Sequence, residues 1–153
     1  MAIRFRGQFV QRVDDKARLA IPASYRQVLD VAGDRRLILV RSVAGNCIQA
    51  WPEADWLEYE DRILALPANN PMVMNLLRFQ VASHVQVEPD NHGRVVLPPT
   101  LRAYAGIEPG GEVVIASMSK RFEIWAREPW DRDQERILAE LPNWSAEIAK
   151  LGL

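Results

Sequence analysis

Two short stretches carry the same chemistry, Asp14-Asp15-Lys16-Ala17-Arg18 and Asp90-Asn91-His92-Gly93-Arg94. In each, an aspartate and an arginine stand four positions apart in a polar corner. Within a tight reversal the carboxylate can accept backbone N–H groups and pair with the arginine, which fixes the direction of the guanidinium. A guanidinium held in one direction presents forked donors suited to phosphate or to the O6/N7 edge of guanine. The competing use of such a pair is simple closure of a turn, worth at most about 1 kcal/mol on a surface. One isolated copy would favour turn closure; two copies in a matching frame bring the two uses level.

Catalytic chemistry is poorly served by comparison. The two histidines, His84 and His92, lie eight residues apart with Glu88 and Asp90 between them, but no H-E-x-x-H or C-x-x-C spacing accompanies them. Motifs of the G-x-S-x-G, P-loop and G-x-G-x-x-G kinds are absent. Cys47 sits in an apolar run without a basic neighbour, as a buried inert thiol does. The residues call for no metal, no cofactor and no small-molecule substrate, and an enzyme is not the expected class.

Charge is distributed unevenly. The net charge is -1, yet residues 1 to 41 hold nine bases and four acids, whereas the remainder holds ten bases and sixteen acids. Binding to a polyanion needs local potential more than total charge, so the basic N-terminal third is compatible with a nucleic-acid face. A single cysteine, no apolar leader and no apolar run long enough to span a bilayer set the expectation of a reducing, cytoplasmic setting.

The elements that must position the corners repeat with them. Each corner is followed by a short apolar run ending in proline, Leu19-Ala20-Ile21-Pro22 and Val95-Val96-Leu97-Pro98, and then by Ser24-Tyr25-Arg26 or Thr100-Leu101-Arg102. Further on, Trp51 aligns with Trp125, Trp56 with Trp130, and Arg62-Ile63-Leu64-Ala65 with Arg136-Ile137-Leu138-Ala139. A repeat of this length marks duplication of a supersecondary unit whose copies bury their apolar faces together. Alternation predicts a strand over 5–13 and another over 18–21, joined as a hairpin by the Asp-rich corner. Gly93 tolerates positive φ at the second corner; Ala17 in its place either avoids that conformation or is strained by about 1 kcal/mol.

Short helices are expected over 23–29 and 100–105, opened by proline and ended by Gly33 and Gly106. Buried strands follow over 36–42 and 112–116, then 46–51 and 120–125. Longer amphipathic helices begin near Pro52 and Arg127, with Trp56 and Trp130 expected in the core or at a subunit interface. A short helix over 72–79 links the copies, and 144–153 forms a terminal helix or frayed tail.

Phe5-Arg6-Gly7, the run Asp14 to Pro22 and the run Asp90 to Pro98 together resemble the bacterial MraZ family, built from two copies of the AbrB-type swapped-hairpin unit. The resemblance covers nearly the whole chain. It implies an α+β fold, a pseudo-symmetric swapped-hairpin β-barrel with peripheral α-helices: a first repeat over 5–52, linking helices over 53–81, a second repeat over 82–126 and C-terminal helices over 127–153, the repeats forming one composite domain. It implies a sequence-specific DNA-binding transcriptional regulator of the division and cell-wall gene cluster, cytoplasmic and nucleoid-associated. The partners it implies are promoter repeats in double-stranded DNA and further copies of the chain in a ring. Arg18 and Arg94 map onto the DNA-facing arginines, Lys16 is a phosphate contact, and Arg6 and His92 are further candidates, with Asp14 and Asp90 stabilising the motif. The family's first motif usually carries glycine where this chain has Ala17. The alternative is an antitoxin-like interaction module whose main partner is a protein.

Overall fold

The structure is a computed structural model, and it describes residues 4–153. Proline and glycine punctuate it as the sequence predicts. Helix α1 (Ala23–Ala32) begins directly after Pro22, and α4 (Pro99–Ala105) after Pro98. Both close on a glycine in the left-handed region, Gly33 at φ 77° and Gly106 at φ 67°, where only the absence of a Cβ makes the conformation cheap. The longer helices are α2 (Glu53–Leu64) and α5 (Arg127–Glu140). The linking helix α3 (Pro71–Leu76) runs on into a π-helical turn over Leu77–Val81, and a 3₁₀ turn, Leu141–Asn143, leads from α5 into α6 (Trp144–Lys150).

The strands are β1 (Gln8–Arg12), β2 (Arg18–Ala20), β3 (Leu37–Arg41), β4 (Ile48–Pro52), β5 (Val85–Val87), β6 (Arg94–Val96), β7 (Glu112–Ser117) and β8 (Phe122–Ala126). Six form an antiparallel sheet in the order β1-β7-β8-β4-β3-β5, while β2 and β6 form a separate two-stranded ribbon. The expected local hairpin of β1 with β2 is therefore not a ladder. The corner does reverse the chain, through Asp14 N–H to Arg18 O (3.0 Å) and Ala17 N–H to Asp14 O (3.1 Å). Beyond the corner, however, β1 pairs with β7 and β2 with β6, both from the second repeat. The fold is α+β, and its ladders close no complete barrel: the sheet ends at β1 and β5.

The registers obey an approximate twofold. A shift of 76 residues turns the pair Gln11–Val113 into Val87–Leu37, and Arg18–Val96 into Arg94–Ala20. The axis passes through the Leu19–Val95 pair of the ribbon and the Gln49–Glu123 pair that joins β4 to β8. One main core follows, drawing Leu19, Tyr25, Leu29 and Leu37 from the first repeat and Val95, Leu101, Val113 and Phe122 from the second. Tyr25 stands in an aromatic cluster with Phe5, Phe9 and Phe122, and its hydroxyl donates to Gly7 O (2.6 Å). Burial pushes its pKa up to about 12.

A smaller cluster on the other sheet face joins Ile38, Val40, Trp51 and Trp56, with Tyr59 and Val81 packed against it. Buried Gln80 fixes the π turn there: its amide donates to Arg41 O (2.8 Å), and its carbonyl accepts from the Tyr59 hydroxyl (3.0 Å). Trp56 is buried as expected, but α5 buries none of its residues and its Trp130 is half-buried.

Ala17 adopts φ 61°, matching Gly93 at φ 75°, so the alanine does occupy the strained conformation. The left-handed region costs an L-residue roughly 1–2 kcal/mol. Against that stand a buried methyl, worth about 0.8 kcal/mol, and an unfolded chain less free than with glycine. The two corners thus respond differently to substitution. Ala17→Gly should leave stability within about 1 kcal/mol of the parent. Gly93→Ala should cost about 2 kcal/mol or more, because the new Cβ would stand 2.7 Å from Arg26 Cζ and Nε. Urea denaturation of the two variants checks the asymmetry.

Candidate nucleic-acid interface

Each corner is built around one carboxylate. Asp14 Oδ1 accepts the backbone N–H groups of Lys16 (2.9 Å) and Arg18 (2.8 Å), and Oδ2 accepts Arg18 Nε at 2.6 Å. Asp90 Oδ1 likewise accepts from the N–H groups of His92 (2.8 Å) and Arg94 (3.0 Å). The ion pairs differ. Arg94 Nε lies 3.6 Å from Asp90 Oδ2, beyond hydrogen-bonding distance, and is shielded from solvent without a partner. Arg18 is locked, whereas Arg94 is only steered.

Side-chain alternation decides which way these arginines face. Leu19 and Val95, opposite each other at the ribbon's centre, are buried to within 2% of full burial. Their neighbours Arg18, Ala20, Arg94 and Val96 must then occupy the other face. Arg18 pairs with Val96 and Arg94 with Ala20, so the two arginines are diagonal neighbours on one outer face, about 7–8 Å apart at Cα. Val96, half exposed, shares that face. Lys16 and His92 are exposed at the two corners, and neither side chain forms a hydrogen bond or ion pair among the described residues.

Two further arginines brace the corners. Arg26 Nε donates to Ile21 O (3.1 Å) and Arg102 Nε to Leu97 O (3.0 Å), each tying a helix to the strand end before it. Arg26 also lies against Gly93, so a helix of the first repeat supports the corner of the second. The matched hydroxyl-x-arginine spacing after each proline was their trace in the sequence, although it did not reveal a role across the repeats.

Arg6 is not brought to this site. It precedes β1 at the end away from the corner, where its Nη1 donates to Phe5 O (3.2 Å) and Ser119 Oγ (3.4 Å). Seven residue steps of about 3.3 Å separate it from Val13, which places it roughly 20 Å from the first corner. His84 turns to the Val81 carbonyl and packs on Trp56, away from His92. Among the described residues, no three His, Cys, Asp or Glu side chains are grouped to hold a metal ion. Cys47 is buried, and burial raises its thiol pKa well above the ordinary value. No helix among the described residues is long and apolar enough to cross a membrane.

These features define a class: an α+β duplication in which two repeats share one core and set equivalent arginine corners on a common outer ribbon. The chain belongs to the MraZ family of transcriptional regulators, for the family described as "MraZ protein, putative antitoxin-like" matches residues 4–79 and 81–150. A protein named Transcriptional regulator MraZ from Saccharophagus degradans is 35% identical over 126 residues, covering 82% of this chain and 84% of its own. Its namesake from Thermus thermophilus is 35% identical over 136 residues, covering 89% and 91%. That from Desulforamulus reducens is 33% identical over 147 residues, covering 96% and 99%.

The corners carry a pH signature. The Arg18 backbone N–H does most to hold the Asp14 carboxyl below its usual value; partial burial opposes this, and the Arg18 side chain and Lys16 N–H add to it. Asp90 is lowered in the same way, first by the Arg94 backbone N–H. A carboxylate whose folded pKa is depressed contributes stability that is complete above its unfolded value, about 3.9, and is lost as pH falls through the folded value. Stability should thus drop below about pH 4. In Asp14→Asn and Asp90→Asn variants that acid-dependent loss should be smaller, as denaturation midpoints at pH 7 and pH 3 would show.

Proposed function

We propose that the chain binds promoter repeats in double-stranded DNA through the outer face of the β2–β6 ribbon, as a regulator of the division and cell-wall gene cluster acting on the nucleoid in the cytoplasm. The observation that carries this reading is the pair Arg18 and Arg94, related by the approximate twofold and facing outward together. A major groove about 12 Å wide admits a two-stranded ribbon. The diagonal spacing of the arginines matches about two base-pair steps of 3.4 Å. Arg18 and Arg94 then meet guanine edges, Val96 offers an apolar contact, and Lys16 and His92 meet the flanking phosphates. Arg6 lies outside that footprint.

So few cations per subunit give weak binding with a shallow salt slope, which steepens as further subunits add phosphate contacts. A ring of subunits multiplies the contact where promoter repeats match the subunit spacing. In this reading the two repeats act as one composite domain of swapped-hairpin type, with the ribbon as its DNA-facing side. The antitoxin-like wording of the family description supports a second reading, in which the same surface serves a protein partner. Retention of a protein partner without retention of promoter DNA would favour it.

Arg18→Ala and Arg94→Ala should each weaken binding to the chain's own upstream region by about 1–3 kcal/mol and relax base discrimination. Lys16→Ala should weaken binding evenly across sequences and lower the salt slope by about 1. Anisotropy titrations over a salt series check this; unchanged affinity and slope in both arginine variants would remove the ribbon as the contact.

A further inference from the structure

The two repeats differ in how they treat the outer face of their strands. In the first, Ile38, Val40 and Trp51 are covered by α2 and by the π turn that follows α3. Their counterparts in the second repeat are Val114, Ala116 and Trp125, covered by α5 alone, with Trp130 edge-on to Trp125 at 5.9 Å. What remains is an open groove of about 610 Å3, whose apolar lining is Ala116, Met118, Trp125, Trp130 and Ile137, with charged side chains, Arg6 among them, interspersed.

By chain order the missing cover is α6, since α3 and α6 each follow a tryptophan helix and a proline-containing break. The breaks are unequal. Six residues separate α2 from α3, and Asn70 (ψ 120°) leaves the helical region, allowing the chain to turn back. Only three separate α5 from α6, and Glu140, Leu141, Asn143 and Trp144 all keep right-handed helical angles. The chain therefore does not turn back between α5 and α6 as it does between α2 and α3. None of its residues is buried. Leu141, Trp144, Ile148 and Leu151, spaced 3, 4 and 3 apart, form an apolar row exposed at 50%, 36%, 38% and 75%.

We infer that α6 of one subunit fills the second-repeat groove of another copy of this chain. A short connection that prevents return within a chain diverts the same packing to a neighbour, as in exchange of elements between protomers. The occupant's chemistry suits the site: an amphipathic helix lays an apolar row into an apolar groove. The groove's lining carries both signs of charge, Arg6 and Arg136 beside Glu123 and Asp133, and the Glu147–Lys150 pair on α6 offers both in return. Repeated in one sense around an axis, the contact closes a ring, so the inference deepens the assembly in the function proposed above. It does not depend on the ribbon's DNA contacts.

Full-length Ile148→Asp and Trp144→Asp variants should still fold with the parent's far-UV spectrum, because both side chains are exposed within the subunit, while the thermal midpoint falls with the loss of the contact. Light scattering should show their mass fall toward that of one subunit. Promoter affinity should fall about 100-fold with the loss of avidity, while base discrimination persists. In a Cys47→Ala background, mixing an Ile148→Cys chain with a Met118→Cys chain should give a disulfide-linked pair on oxidation. Unchanged mass in both Asp variants overturns the inference, and so does a cross-link that forms only within a doubly substituted chain. Wild-type promoter binding alongside that result would leave the DNA reading standing; failure of the wild type to bind DNA would sink that reading alone.

Discussion

The burial of one residue pair, Leu19 against Val95, sets the direction of everything else on the ribbon. Each of these side chains gains roughly 1.5–3 kcal/mol by leaving water. Because side chains alternate along a strand, seating them in the core sends Arg18 and Arg94 outward. A slip of one residue would bring both guanidiniums into the core among Leu29, Leu97 and Leu101, and an uncompensated buried charge costs far more than the apolar pair gains. The register is thus held both by what it buries and by what it refuses to bury. Since the pair lies on the approximate twofold, the same constraint acts on both arginines at once.

The corners add the second constraint, on direction within that face. Asp14 uses one oxygen for the backbone of its turn and the other for Arg18, so turn geometry and guanidinium geometry are set by the same group. Bending the chain this tightly needs a residue in the left-handed region, and the first corner accepts an alanine there. Support for the second corner comes from the other repeat, through Arg26 lying on Gly93. A single repeat on its own would have neither a ladder partner for its β2 nor a brace of this kind; here the second repeat supplies both.

Much of this was legible in the residues. The repeat, both corners, the outward arginines and the helix boundaries at Pro22, Pro98, Gly33 and Gly106 follow from local rules of spacing and φ. What was illegible was non-local. Nothing near Gln8 or Arg18 indicates that their ladder partners lie about a hundred and about eighty residues away, and the local reading made a hairpin of them. Strand β5, three residues long, is too short for alternation to register, and it is held by its pairing with β3. Arg6 was placed beside the corner arginines through the family resemblance of the Phe5-Arg6-Gly7 start, but an extended strand between them carries it to the far end. The exposure of α5 escaped notice because its tryptophan and leucines repeat the pattern of α2, whose burial depends on a π turn that the second repeat lacks.

That last difference bears on why the two copies diverged. A perfectly repeated unit would bury both outer faces alike and leave a self-contained particle with two equivalent corners and no apolar face left over. The connection after α5 has three residues where that after α2 has six, and the second repeat keeps an apolar row and a largely apolar groove on the same chain. The two surfaces differ, so in the inferred contact a neighbour that satisfied one would leave its own counterpart unsatisfied, and association would propagate until it closed. In the proposed function, symmetry within the chain serves the ribbon by setting two equivalent arginines on one face. In the inferred contact, asymmetry serves assembly, where equivalence would stop growth at a single copy.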